Sequence, residues 1–69
     1  MREFSLVGID GNCFNIMGYV TSCLKQVKLK EDMDKYVKEA MSSDYDHLIQ
    51  VSMKYLDKAN NKQRILYKG

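Results

Sequence analysis

Two cysteines, one histidine and a scatter of aspartates are the side chains of this 69-residue sequence with reactive chemistry to offer. Cys13 or Cys23, with His47 as base and an aspartate to orient it, would be the parts of a nucleophilic site. Both cysteines fall on the apolar stripe of a predicted helix, where thiols are normally buried and inert. No catalytic residue is assigned on this pattern, and the chain is read as a non-enzyme. Asp44 and His47, three residues apart at a helix start, can face one side and begin a metal site. A metal centre needs three or four ligands. The remaining cysteines and carboxylates have no ligand-like spacing, so no metal and no other cofactor is expected. Asp44 and His47 then read as helix-start residues.

The sharpest local pattern is Asp10-Gly11-Asn12, between an apolar run and a helical one. A glycine turn feeding a helix leaves free N–H groups that can hold a phosphate or carboxylate. These three residues are therefore the candidate site for a nucleotide or other anion. Against that stand the missing second and third glycines of the phosphate-loop patterns, the absence of a lysine in the turn, and the charge of Asp10 itself. The plainer reading is a structural turn with Asp10 or Asn12 as N-cap, since either side-chain oxygen can accept from an orphan N–H.

Charge gives a third candidate. Net charge is +2, and it comes from the end of the chain. Lys62, Arg64 and Lys68 stand there without an acid, while the preceding residues are nearly balanced. That is a tail rather than the basic face usual in nucleic-acid binding, and it makes those three residues a candidate nucleic-acid contact only. Five tyrosines and five methionines supply adaptable contact groups. Tyr19 lies off the main apolar face of its helix, next to Gly18, and Tyr67 lies in the basic tail. Gly18, Tyr19 and Tyr67 are the candidate interface residues.

Hydrophobic periodicity places these groups. Phe4–Ile9 alternates like a short N-terminal strand, with Phe4, Leu6 and Gly8 on one face. A first helix is predicted from Cys13 to about Val27, with Cys13, Ile16, Met17, Val20, Cys23, Leu24 and Val27 at helical spacing and Phe14 widening the stripe. Gly18 in its interior costs about 1 kcal/mol relative to Ala, and close approach of another backbone is the expected compensation. A second helix is predicted from Glu31 to Met41, with Met33, Tyr36, Val37, Ala40 and Met41 inward. A third starts after Ser42-Ser43-Asp44, with Ser43 and Asp46 resembling a capping box, and ends near Ala59 at Asn60-Asn61. Residues 63–67 could form a short second strand. The expected fold is mainly α, of α+β type: one N-terminal strand, three amphipathic helices, and an optional C-terminal strand. Residues 1–61 make the single domain and 62–69 a basic tail.

A chain this short buries only about 60% of its unfolded surface, so a second copy or a protein partner is expected. No apolar run reaches membrane-spanning length, and Met1-Arg2-Glu3-Phe4 lacks the layout of a signal peptide. An intracellular, cytoplasmic protein is therefore expected, with Cys13 and Cys23 as free thiols. Ten residues along one helix separate them by about 15 Å, beyond the reach of a disulfide.

Val7-Gly8-Ile9-Asp10-Gly11-Asn12-Cys13-Phe14, followed by Ile16-Met17-Gly18, Ala40–Leu48 and Val51-Ser52, resembles a group of small proteins from anaerobic Gram-positive bacteria, their phages and their mobile elements. The likeness spans roughly residues 5–60. It implies a bacterial or phage setting and brings no activity or site residue with it. Together these observations favour a non-enzymatic protein that works by stoichiometric contact with a protein, as a homo-oligomer. In a phage setting the target would be a host factor such as one of its defences.

Overall fold

A computed structural model describes residues 3–42 and 44–67. Its elements are α1 (Cys13–Gln26), α2 (Lys30–Ala40) and α3 (Tyr45–Leu66). Each helix packs against the other two. Connectors of three and four residues make consecutive helices antiparallel, so α1 and α3 start at one end of the bundle and α2 finishes there.

The first two boundaries follow from local chemistry. The Asn12 side chain caps α1 by accepting from the Phe14 N–H at 2.8 Å. The helix closes with paired bonds, Leu29 N–H to the Leu24 carbonyl at 2.9 Å and Lys28 N–H to that of Lys25 at 3.1 Å. This is the Schellman closure, which needs a left-handed residue at its turn and usually takes Gly. Here Lys28 supplies it, with φ of 63°. Leu29 then both packs on the core and starts α2, for which it makes no side-chain cap. Asp44 caps α3 by accepting from the His47 N–H at 2.9 Å. Ser43, the other half of the expected capping box, lies outside the described residues.

The core is one cluster. Ile16, Val20, Cys23, Leu24 and Val27 come from α1 and its cap, Tyr36 and Ala40 from α2, and Leu48, Val51, Tyr55, Leu56 and Ala59 from α3. Tyr36 is its centre. Its ring meets Tyr55 edge-on at 5.4 Å between centroids, and its hydroxyl shares a 2.6 Å hydrogen bond with the buried Ser52 hydroxyl. A buried carboxylate, Asp32, is paired with Lys58 across α2 and α3 at 2.8 Å.

Neither expected strand forms among the described residues. The Phe4–Ile9 run is broken by a β-turn, with the Ile9 N–H bonded to the Leu6 carbonyl at 3.0 Å and Gly8 at φ of 84°. Positive φ at the third position is the type II geometry, and glycine is what permits it. The segment binds side chains instead of a strand. Asn60 takes the Phe4 backbone in both directions, accepting from its N–H at 2.7 Å and donating to its carbonyl at 3.0 Å. The Ser5 N–H donates to the Tyr19 hydroxyl at 3.0 Å. Phe4, Leu6 and Ile9 pack on the core from this side.

Residues 63–67 are not a strand either, because α3 runs through Asn60-Asn61 to Leu66. Asn60 is buried by its bonds to Phe4, and the Asn61 side chain accepts from Arg64 one turn on. Both asparagines are therefore engaged within a continuing helix. The basic residues Lys62 and Arg64 stand on its last two turns, and Lys68 lies outside the described residues.

Gly18 corrects a further expectation. It is exposed, and a Cβ there would meet nothing within 4 Å, so no backbone approaches it. Gly18→Ala is then a change in helix propensity alone. It is expected to stabilise the fold by about 1 kcal/mol, raising Tm by about 4–8 °C in a domain of this size. A fall in Tm on thermal denaturation would mean that the position does pack against something.

Candidate functional site

Three helix ends meet where α1 begins, α2 finishes and α3 starts, and they leave an open cleft of about 280 Å³ between them. Cys13, Phe14 and Met17 line it from α1, Ala40 and Met41 from the end of α2, and Asp44, Tyr45 and Leu48 from α3. The caps fix this geometry. Asn12 holds the first turn that carries Phe14, Asp44 holds the first turn that carries Tyr45, and Met41 is the C-cap that follows α2. Phe14 is 71% exposed, Met41 65% and Tyr45 48%. The polar groups of the cleft are largely committed. The Asp44 carboxylate serves the His47 N–H, and the Tyr45 hydroxyl donates to the Gly11 carbonyl at 2.7 Å. What is offered outward is apolar surface suited to side chains.

A second, smaller cleft of about 230 Å³ lies between the N-terminal segment and α3, with Val7 and Met53 exposed at its edge.

The sequence-predicted residues fall mostly elsewhere. Asp10-Gly11-Asn12 is an exposed turn beside the main cleft whose own side chains take two nearby amides: the Asn12 N–H donates to Asp10 at 3.2 Å and the Phe14 N–H of α1 to Asn12 at 2.8 Å. A Cβ on Gly11 would stand 3.3 Å from the Tyr45 hydroxyl oxygen, so glycine here leaves room for Tyr45 to reach its carbonyl. Tyr19 is half-buried, and its hydroxyl is engaged with Ser5. Burial raises its pKa above the ordinary value, against the lowering effect of that bond. Tyr67 is exposed, as read from the sequence, at the far end of α3. The structure does not bring Gly18, Tyr19 and Tyr67 into one surface, since Gly18 and Tyr19 belong to α1 and Tyr67 to the opposite end of the bundle.

Cys23 is buried and Cys13 is exposed at the cleft; both are free. Burial pushes the Cys23 thiol up, away from the thiolate a nucleophile needs, although its contact with Tyr19 opposes this in part. His47 approaches Glu39 at 3.9 Å, and its backbone rather than its ring meets Asp44. Among the described residues no three His, Cys, Asp or Glu side chains converge as metal ligands. Arg64 pairs with Glu3.

Phe14 and Met41 read from the sequence as members of apolar helix faces, yet they stand open, as does Tyr45. All three sit in the first or last turn of their helices, where a stripe has no partner helix beyond it. Position relative to the caps is the signal that separates them from Ile16, Ala40 and Leu48. No helix among the described residues is long and apolar enough to cross a membrane. No protein-family model, curated protein or solved structure matches the chain.

Proposed function

We propose that this chain acts by stoichiometric protein–protein contact, with the cleft at Phe14, Met41 and Tyr45 as its contact surface. One observation carries the reading. Three large apolar side chains stand open around one cleft whose polar atoms are already bonded within the chain. Together they offer on the order of 350 Å² of apolar surface, in the range where such patches on small proteins commonly serve binding. Among the described residues of the cleft, the one carboxylate, Asp44, is engaged by the His47 N–H rather than by the Cys13 thiol, which supports binding over catalysis. In the phage or mobile-element setting that the resemblance implies, the contact would inhibit a host protein, such as a defence factor.

The test compares the wild-type chain with the double variant Phe14→Glu, Met41→Glu as bait in a bacterial lysate. Both positions are exposed, so the variant should keep the wild-type circular dichroism and melt close to it. The expected result is a protein retained by the wild type and lost by the variant. Equal retention by both folded baits would remove the cleft as the contact surface.

A further inference from the structure

We infer that the cleft takes the C-terminal end of α3 from a second copy of this chain, a partner assignment that rests on the cleft being a contact surface. Three observations converge on it. The first is length. α3 has 22 residues against 14 in α1 and 11 in α2, which makes it about 12 Å longer than α1 at 1.5 Å per residue. The last turn of α3 lays Gln63 and Leu66 back on its own bundle and leaves its other side open. The second is leftover apolar surface. Ile65 is 72% exposed and Tyr67 54% exposed on that open side, with no described residue covering them.

The third is charge. The cleft end of the bundle carries Asp10, Glu39, Asp44 and Asp46 against Lys38, while α3 after Asp57 carries Lys58, Lys62 and Arg64, the first and last of them paired with Asp32 and Glu3. Lys62 has no ion pair among the described residues, and it stands one turn before Ile65 on the same side of the helix. An apolar knob beside a free cation thus faces, at the other end of the molecule, an apolar cleft beside carboxylates. The sizes agree as well. A cavity of about 150 Å³ holds a benzene-sized group, so about 280 Å³ admits one or two side chains. The contact is heterologous, cleft to helix end, and it closes as an antiparallel pair or extends as a chain of copies.

Sedimentation velocity over a concentration series tests this with the wild type, a cleft-blocked variant (Phe14→Glu, Met41→Glu) and an end-blocked variant (Ile65→Glu, Tyr67→Glu). The wild type is expected to associate, more weakly as salt rises. Each variant is expected to associate at least tenfold more weakly. Mixing the two variants should give a 1:1 heterodimer, because one carries the intact end and the other the intact cleft. The single change Lys62→Glu, at a half-buried position, is the mild control: it should weaken association, and mixing with Asp46→Lys should restore it.

A wild type that stays monomeric overturns the self-contact while leaving the lysate test of the cleft standing. If the end-blocked variant associates like the wild type and the cleft-blocked variant does not, the cleft is a contact surface with another occupant. If both variants associate like the wild type, the self-contact uses neither surface and this inference is overturned; the lysate comparison then decides the cleft separately. A mixture of variants that stays monomeric overturns the cleft-to-end pairing.

Discussion

Tyr36→Ala is expected to cost about 3–5 kcal/mol, the range for deleting a large buried aromatic ring. A 69-residue domain has about 3–10 kcal/mol in total, so this variant should be unfolded or close to it at room temperature. The reason is geometric. Tyr36 has no exposed surface, and it joins α2 to α3 in the core, by its ring against Tyr55 and its hydroxyl against Ser52. Ring and hydroxyl are separable. Tyr36→Phe keeps the packing, leaves Ser52 without that partner, and should cost about 1–2 kcal/mol. Adding Ser52→Ala should then cost less than it does alone, because the two changes remove one shared bond.

The same groups set the alkaline limit. Burial raises the Tyr36 pKa above its ordinary 10.0, against the lowering effect of Ser52, and burial likewise raises Cys23 above 9.0. In each case the folded chain holds its proton to higher pH than the unfolded chain. The associated stability is fully present below the unfolded values and is lost as pH rises through the folded ones. Urea denaturation should show stability falling above about pH 9, and Tyr36→Phe should flatten the part of that fall above about pH 10. A Tyr36→Ala protein that melts within a few degrees of the wild type would show that the core is not centred on this ring.

The helices were legible because their stripes are long. Four turns of apolar spacing from Cys13 to Val27 leave one orientation; the structure ends α1 within a residue of that span and buries the stripe from Ile16 on, but Cys13, expected to be buried, is exposed because it stands at the open start of the helix. The segments misread as strands had six residues or fewer, and there local alternation competes with single contacts that no pattern reports. Gly8 turns the chain, and Asn60 stands 56 residues away from the Phe4 backbone it binds. Asn60-Asn61 looks like a stop because asparagine disfavours helix interiors in isolation. Inside the bundle the Asn60 amide has a partner, and tertiary bonding outweighs a propensity of well under 1 kcal/mol. The cleft was hidden for a related reason. Phe14 and Met41 have the same spacing as core residues, and only the place where each helix ends leaves them outside. The turn at Asp10-Gly11-Asn12 was legible as a cap, while the capture of the Asn12 and Phe14 amides by Asp10 and Asn12 depends on side-chain rotamers that sequence does not specify.

Asn60→Ala is expected to release the N-terminal segment while the three helices stay folded. The Asn60 amide replaces a strand partner for Phe4, and both of its bonds go at once. Each is worth about 0.5–1.5 kcal/mol net, so the loss is about 1–3 kcal/mol. Ordering a segment of nine or so residues costs on the order of 10 kcal/mol or more of backbone entropy. Half-burial of Phe4, Leu6 and Ile9 must offset most of that, so the segment is held by a small margin. Losing the Asn60 pair should therefore open the segment locally rather than melt the bundle. Amide hydrogen exchange at Phe4 and Ser5 should speed up by about 10–100-fold, the kinetic equivalent of that loss, while the amides of α1 and α3 core residues slow or quicken by much less. Tyr19→Phe, which removes only the Ser5 bond, should give a smaller effect confined to the same segment. Asn61→Ala, one position along, removes an exposed contact to Arg64 and should leave Phe4 and Ser5 unchanged. If Asn60→Ala raises exchange equally across all three helices, the asparagine holds the bundle itself, and the N-terminal segment is part of one cooperative unit with it.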